Sequence, residues 1–198
     1  SYIDVNENNI ITSITAAGRI GYGNTAEQTN GSGFIYDEES LLFEMGLIMG
    51  SSSSSIFNNV RGINNLYDQD FTAEEKIVKQ TPGEKSYSEV FGSLRNSPEL
   101  STTSLDIDYR SLVLKHDPYR NFVILEYKVR NVSSSPITGF YFGVFADWDI
   151  ALNGAGDRAS WDNDTRLGYV FPAMPLSLPR AGIQALSQNV HYYAIDND

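Results

Sequence analysis

The stretch F-V-I-L-E-Y-K-V, residues 122–129, decides the fold class. In an extended chain Val123, Leu125, Tyr127 and Val129 share one face, and the charged residues of the stretch lie on the other. This alternation predicts a β-strand with one face in a hydrophobic core and the other in water.

The segments around this strand predict further strands. Residues 131–136 read N-V-S-S-S-P, which is typical of a hairpin loop, because small polar side chains bond locally and proline cannot donate to a ladder. Residues 137–148 carry aromatic side chains on both faces, which favours a central strand covered on both sides. Alternation over residues 105–110 and the apolar run 41–49 predict two more strands.

One segment, residues 71–79, predicts a short helix. Thr72 can cap it, Glu75 follows three residues later, and Glu75 can pair with Lys79 one turn on. The other apolar runs are short, rich in β-branched and aromatic residues, and closed by turn residues. We therefore expect one all-β domain over residues 1–198, an antiparallel β-sandwich with roughly ten short strands and at most one peripheral helix.

Composition excludes several classes of function. The 198 residues include 14 basic and 25 acidic side chains, which gives a net charge of −11, and no cysteine. This charge repels phosphate backbones and argues against nucleic-acid binding, while the lack of cysteine removes disulfides and thiolate chemistry. No apolar run approaches the roughly 20 residues that span a bilayer. Because the sequence starts at Ser1 without methionine and stops in polar sequence, we expect a processed chain or a part cut from a longer one.

No catalytic residue is predicted from the motifs. The pattern G-x-S-x-G is absent, and the imidazoles are those of His116, in a predicted turn, and His191, in a predicted strand. Residues 21–26 spell G-x-G-x-x-A, but polar turn sequence follows where a dinucleotide-binding fold needs a helix. A hydrolase built on paired carboxylates stays open, because any two of the acids could face one another.

The acidic segment 147–164 is the most unusual local composition. Calcium takes about six to eight oxygen ligands, and the predicted ligands here are Asp147, Asp149, Asn153 and Asp157. The spacing is not that of an EF-hand, and a solvated acidic loop is the alternative.

Two tryptophans flank the same segment. Trp148 and Trp161 could stack on a sugar, which makes carbohydrate the second predicted ligand. The alternative is that each tryptophan plugs the hydrophobic core.

Seven sequence strings, in the same order, resemble a known family. They are G-S-G-F-I-Y (31–36), L-L-F-E-M-G-L-I-M-G (41–50), V-R-G (60–62), F-V-I-L-E-Y-K-V-R-N (122–131), F-G-V-F-A-D-W-D-I (142–150), R-L-G-Y-V (166–170) and A-G-I-Q-A-L (181–186). The chain thereby resembles a β-rich accessory region of large secreted proteins of Gram-negative environmental and gut bacteria. In those proteins the region is often C-terminal to a subtilisin-like serine peptidase domain.

The resemblance implies an extracellular or surface-bound parent chain and a neighbouring domain, often a subtilisin-like peptidase, as partner. It also implies that this domain carries no part of the peptidase triad. It favours a structural use of the acids, in which Arg158 or Arg166 pairs with Asp147 or Asp149 and fixes the loop without metal. The expected function is therefore a noncatalytic accessory domain, with a calcium- or carbohydrate-binding module as the alternative.

Overall fold

The fold is all-β, and its sheets are antiparallel, as the sequence predicts. Fifteen strands and no helix occur in the part of the chain that the structure describes, so the strands are more numerous than the predicted ten. No described segment forms a helix that is long and apolar enough to cross a membrane. The computed structural model describes residues 1–61, 69–96, 103–150, 154–175, 177–187 and 189–195.

The first layer contains two sets of strands. One set has the order β1-β2-β3-β4 and the other the order β12-β5-β6. Ile20 joins them, because it forms one β-bridge with Ile14 of β2 and another with Met45 of β5. The strands are β1 (Tyr2–Val5), β2 (Ile10–Thr15), β3 (Phe34–Tyr36), β4 (Glu39–Ser40), β5 (Leu42–Ser52), β6 (Ser55–Asn58) and β12 (Tyr141–Trp148).

The second layer is a five-stranded sheet with the order β11-β10-β9-β7, in which β8 also pairs with β9. Residues 107, 109, 111 and 113 of its central strand β10 are buried, which is the period of two that the sequence predicts. The strands are β7 (Phe71–Ala73), β8 (Val78–Gln80), β9 (Ser88–Asn96), β10 (Leu105–Val113) and β11 (Val123–Asn131).

One hydrophobic core lies between these two layers. It includes Ile14 and Leu47 from the first layer and Val90 and Ile107 from the second, each at most 1% exposed. A hydrogen bond also joins the layers, because the Tyr109 hydroxyl donates to the carbonyl of Thr15 over 3.0 Å. The two layers with a shared core confirm the sandwich-like fold.

A third, three-stranded sheet has its own small core. Leu41, Ile150 and Ala181 form a second buried cluster. Trp148 packs against both clusters and so connects this sheet to the sandwich. The strands, in sheet order, are β13 (Asp157–Asp162), β14 (Leu167–Pro172) and β15 (Ala181–Gln184).

The predicted helix over residues 71–79 is wrong. Phe71 and Ile77 are both buried in the sandwich core, and the strands β7 and β8, which overlap this segment, each pair with β9. A capping box and one exposed ion pair stabilise a helix only slightly, whereas burying two large apolar side chains contributes several kcal/mol, roughly 1.5–3 for each. The core contacts therefore decide the local structure.

The prediction for residues 131–148 is corrected in two respects. Residues 131–136 do not close a hairpin, because β11 and β12 belong to different layers and the loop crosses between them. The following strand begins at Tyr141 and is an edge strand in the described sheet order β12-β5-β6. Aromatic side chains on both faces misled the prediction, because Tyr141 on the outer face is 70% exposed and not covered by another layer.

Candidate functional site

The candidate site lies where β12 ends. A β-bulge between Asp147 and Trp148 shifts the register against β5, and Asp147 lies opposite Glu44. Beyond the bulge the chain stays attached to its neighbours, since the amide of Asp149 donates to the carbonyl of Leu41 over 3.0 Å. Bulges often re-aim side chains at the end of a strand, and this one lies directly after Asp147, the residue opposite the buried acid Glu44.

Glu44 is the centre of a buried ion network. Its carboxylate accepts hydrogen bonds from the backbone amide of Arg61 at 3.0 Å and from the Nε of Arg61 at 2.5 Å. It also accepts one from Nη2 of Arg19 at 3.3 Å. Both Arg19 and Glu44 are 1% exposed, and a charge at this depth is tolerated when it is paired and hydrogen-bonded.

Asp147 extends this network toward the surface. Its carboxylate, 13% exposed, binds Nη2 of Arg61, and the Arg61 guanidinium lies 4.7 Å from the centre of the Phe43 ring. Charges therefore alternate along Arg19, Glu44, Arg61 and Asp147, and the four sum to zero. We call these four residues the ion network.

The arginine that binds Asp147 differs from the two that the sequence suggested. It is Arg61, which follows β6, whereas Arg158 is exposed on β13 and Arg166 lies in the turn between β13 and β14. The kind of interaction that the resemblance implied is present, but Arg61 supplies it. A partner 86 residues away along the chain cannot be identified from spacing.

Asp149 and Asp157 lie on the other side of the bulge and have raised pKa values. Burial raises the pKa of Asp149, the charges of Asp147 and Asp157 raise it further, and the Arg61 charge lowers it. Burial also raises the pKa of Asp157, against a 2.8 Å hydrogen bond from the amide of Ile150 to its carboxylate. The charges of Asp147 and Asp157 are thus close enough to disfavour the charged form of Asp149.

Gly154 makes room for the Asp149 carboxylate. A side chain at this glycine would place its Cβ 2.5 Å from Oδ1 of Asp149. The glycine also has a φ of +65°, which L side chains rarely adopt. A side chain at position 154 would therefore displace the Asp149 carboxylate and adopt a strained backbone conformation.

The four predicted calcium ligands are only partly brought together. Asp147, Asp149 and Asp157 lie near one another, whereas Asn153 lies outside the described residues. Among the residues that the structure describes, no group of three or more histidine, aspartate or glutamate side chains is arranged to hold a metal ion. The Asp147 carboxylate is bound to Arg61, so the calcium site stays a prediction.

Trp148 is part of the hydrophobic interior. Its ring meets the Phe34 ring edge to face, with centroids 5.5 Å apart, and its side chain is half-buried. This matches the alternative in which the tryptophan plugs the core. The ring therefore takes part in packing within the protein.

Trp161 is covered by a tyrosine. Its ring stacks on Tyr192 at a centroid distance of 5.2 Å and an interplanar angle of 12°. Tyr192 lies over Gly168, where a Cβ would come within 2.5 Å of the tyrosine ring. Gly168 is the cross-strand neighbour of Trp161, so its missing side chain makes this stacking possible.

Both histidines are exposed and outside strands. His116 lies in the turn after β10, as predicted, and accepts a 2.9 Å hydrogen bond from the amide of Tyr119 through its backbone carbonyl. His191 lies in irregular structure after β15, so the predicted strand at this residue is wrong.

Sequence reasoning missed Arg19, Glu44 and Arg61. One signal could have identified Glu44, which is the single charged residue in the apolar run 41–49. A lone acid in a strand that is buried on both faces needs a buried cation. The positions of the two arginines along the chain carry no comparable signal.

No protein-family model, curated protein or solved structure matches this chain. The contacts of its own residues therefore carry the functional assignment.

Proposed function

We propose that this chain is a noncatalytic accessory domain of a secreted or surface bacterial protein, with a structural or interaction role. The ion network is the observation that supports this proposal most directly. Asp147 at the end of β12 and Glu44, its cross-strand neighbour on β5, are bound to the guanidinium of Arg61 and are not turned toward an open cleft. A general acid or base needs a free carboxyl group within reach of substrate.

The surface cavities support the same conclusion. One of about 280 Å³ is mainly apolar and includes Val129 and Phe140 in its lining. Another of about 340 Å³ is lined mainly by hydroxyl residues of the segment 133–138. Neither lining, as far as the chain is described, includes an acid or a histidine. A cavity without a titratable group offers no acid–base chemistry.

The proposed setting is a longer secreted chain in which this domain adjoins a subtilisin-like peptidase. The seven strings between residues 31 and 186 that resemble such accessory regions support it. In that setting the domain stabilises the parent chain or mediates its contact with a substrate or the cell surface.

The proposal is tested by assaying the purified chain on peptide and glycoside panels. We expect no turnover by the native chain. Turnover that Asp149→Asn abolishes, in a variant that circular dichroism shows to be folded, would overturn the proposal. Asp108→Asn, on the exposed face of β10, is the matched control for the loss of one carboxylate.

A second candidate function is calcium- or carbohydrate-dependent recognition by the acidic segment. The charges of Asp147 and Asp157 raise the pKa of Asp149, which favours this candidate. A divalent cation would relieve the repulsion between these carboxylates. Trp161 would then contact a glycan after Tyr192 moves aside.

Thermal unfolding with excess calcium and with chelator tests the second candidate. A ligand at 100 times its dissociation constant stabilises the folded state by about 2.7 kcal/mol, which raises the midpoint by several degrees. If calcium binds, the rise is lost in Asp149→Asn and kept in Asp108→Asn. No rise in the native chain, and no heat on titration with glycans, would exclude this candidate.

A further inference from the structure

β11 is an edge strand in the second layer. Among the described strands it pairs with β10 alone, over all nine of its residues. The backbone groups on its other side are therefore not part of a described ladder. A long edge strand of this kind is a template for pairing with another chain.

The outer face of β10 and β11 carries rows of alternating charge. Arg110 lies opposite Glu126, and Asp108 lies opposite Lys128. Lys128 makes no ion pair within 4.0 Å to any described residue, and Glu126 meets Lys85 at 3.1 Å with both side chains 51% exposed. The charges at the edge are thus available to a partner, because an exposed pair of this kind contributes little.

We propose that β11 pairs antiparallel with β11 of a second copy of this chain, about a twofold axis at Tyr127. In that register Glu126 faces Lys128 of the second copy, and Lys128 faces Glu126. On the inner face Leu125 faces Val129 of the second copy. The strand is self-complementary in charge and in apolar character.

Two neighbouring twofold registers are disfavoured by charge. Centring the pair on Lys128 places two lysines directly opposite each other, although it also sets Glu126 against Arg130, and centring it on Glu126 places two glutamates opposite each other. Like charges directly opposite destabilise a strand pair. A shift by one residue would instead place outer residues opposite inner ones. Among these registers, the one centred on Tyr127 keeps each face on its own side and contains no like-charge pair.

The alternation on the outer face continues across the proposed interface. One row reads Arg110, Glu126, then Lys128 and Asp108 of the second copy, with the signs plus, minus, plus, minus. The twofold axis generates the second row. Pairing would join two five-stranded sheets into one of ten strands.

The inner face of the same edge is apolar and incompletely covered. Leu125, Tyr127 and Val129 are half-buried, and the Tyr127 ring lies 5.4 Å from that of Phe142 on β12. Phe142 is 39% exposed. Edge pairing would bring the same residues of the second copy alongside, so the apolar seam between the layers would lose contact with water.

Charge reversal with a compensating swap tests the proposal. Sedimentation equilibrium of the native chain is expected to show a dimer that dissociates on dilution. Glu126→Lys and Lys128→Glu each replace two attractions by two repulsions, so each should weaken the dimer by about tenfold or more. The double variant Glu126→Lys with Lys128→Glu restores the opposite pairs and should restore the dimer.

Lys76→Glu, in the exposed segment between β7 and β8, is the control because it changes the net charge as Lys128→Glu does. Circular dichroism checks that every variant is folded. A native chain that is monomeric at all concentrations would overturn the proposal, and Lys128 would then be an edge charge that prevents association. A dimer that ignores the single reversals, or that the double variant fails to restore, would overturn it as well.

Discussion

Glu44 is the residue on which the charge balance of the interior depends. It holds the buried guanidinium of Arg19 and the half-exposed guanidinium of Arg61. Replacing a buried ion pair by apolar residues is often neutral, but removing one partner leaves a buried charge without compensation. A substitution at the buried end of the ion network therefore changes the free energy of unfolding differently from one at the exposed end.

We expect Glu44→Gln to lower the free energy of unfolding by roughly 3–5 kcal/mol, because Arg19 then stays buried beside a neutral amide. Denaturant unfolding measures the change. Glu39→Gln, the same substitution on the exposed strand β4, should change stability by less than about 0.5 kcal/mol. Equal effects of the two substitutions would contradict the role assigned to Glu44.

Asp149 makes the free energy of unfolding depend on pH, and the direction of its pKa shift gives the sign of this dependence. Its pKa is higher in the folded chain than in the unfolded chain, so protonation favours the folded state. This stabilisation by protonation is fully present below the pKa that Asp149 has in the unfolded chain. It is lost as the pH rises through the higher pKa that Asp149 has in the folded chain. At neutral pH the charged carboxylate therefore opposes folding.

Asp149→Asn should consequently raise the melting temperature at pH 7, and the difference from the native chain should shrink in acid. Asp106→Asn is the contrasting variant, because hydrogen bonding to Arg95 lowers the pKa of Asp106. Its native carboxylate contributes stability that is lost as the pH falls through the lowered pKa, so this variant should melt lower at pH 7. Melting curves between pH 3 and 8 distinguish the two variants. A lower melting temperature for Asp149→Asn than for the native chain at pH 7 would contradict the prediction, because the Asp149 carboxylate would then stabilise the folded chain.

At the scale of elements, β9 leaves space for a large side chain of β10 by having a glycine at the opposite position. Gly92 lies opposite Tyr109, and a Cβ at Gly92 would come within 2.5 Å of the tyrosine hydroxyl. This hydroxyl donates the hydrogen bond to Thr15 that joins the layers. Gly92 thus makes room for the hydroxyl group that joins the two layers.

Gly92→Ala should destabilise the chain by roughly 1–3 kcal/mol, because the Tyr109 ring must shift and its hydrogen bond lengthens. Tyr109→Phe should lose about 0.5–1.5 kcal/mol for the hydrogen bond alone. Gly143→Ala on β12 is the control, since its nearest side-chain atom is the Cγ2 of Ile48 at 3.3 Å. Denaturant midpoints compare the three, and a neutral Gly92→Ala would show that the tyrosine has room to move.

The sequence predicts strands well where one face is buried and poorly where long-range contacts decide. The alternation in residues 122–129 predicts β11, observed as Val123–Asn131, because every second residue is apolar and faces the core. The segment 71–79 is misassigned because the contacts of Phe71 and Ile77 with the core carry no local signal. The ion network is missed for the same reason, since Arg61 and Asp147 are remote in sequence.

At the scale of the whole molecule, Trp148 connects two separate cores. The sandwich core and the cluster of Leu41, Ile150 and Ala181 share its side chain. Phe34 packs against both clusters as well, so cooperative unfolding of the two parts depends on Trp148 together with Phe34. The chain has two tryptophans, so a Trp148 variant leaves Trp161 as the reporter of the third sheet.

In Trp148→Phe an aromatic ring still reaches both cores, so the midpoint from Trp161 fluorescence should coincide with that from far-ultraviolet circular dichroism. In Trp148→Ala the fluorescence midpoint should fall below the circular dichroism midpoint, because the third sheet detaches first. Coincident midpoints in the alanine variant would mean that other contacts couple the cores.

The bridge at Ile20 has a consequence for how the chain avoids misassembly. Ile20 joins the two strand sets of the first layer, and its neighbour Arg19 supplies the cation that Glu44 requires. If the sets joined one residue out of step, Arg19 would be carried away from Glu44, and a buried acid would lose its counterion. The charge of Glu44 thus selects the correct alignment of the two strand sets, since only that alignment gives the buried acid its counterion.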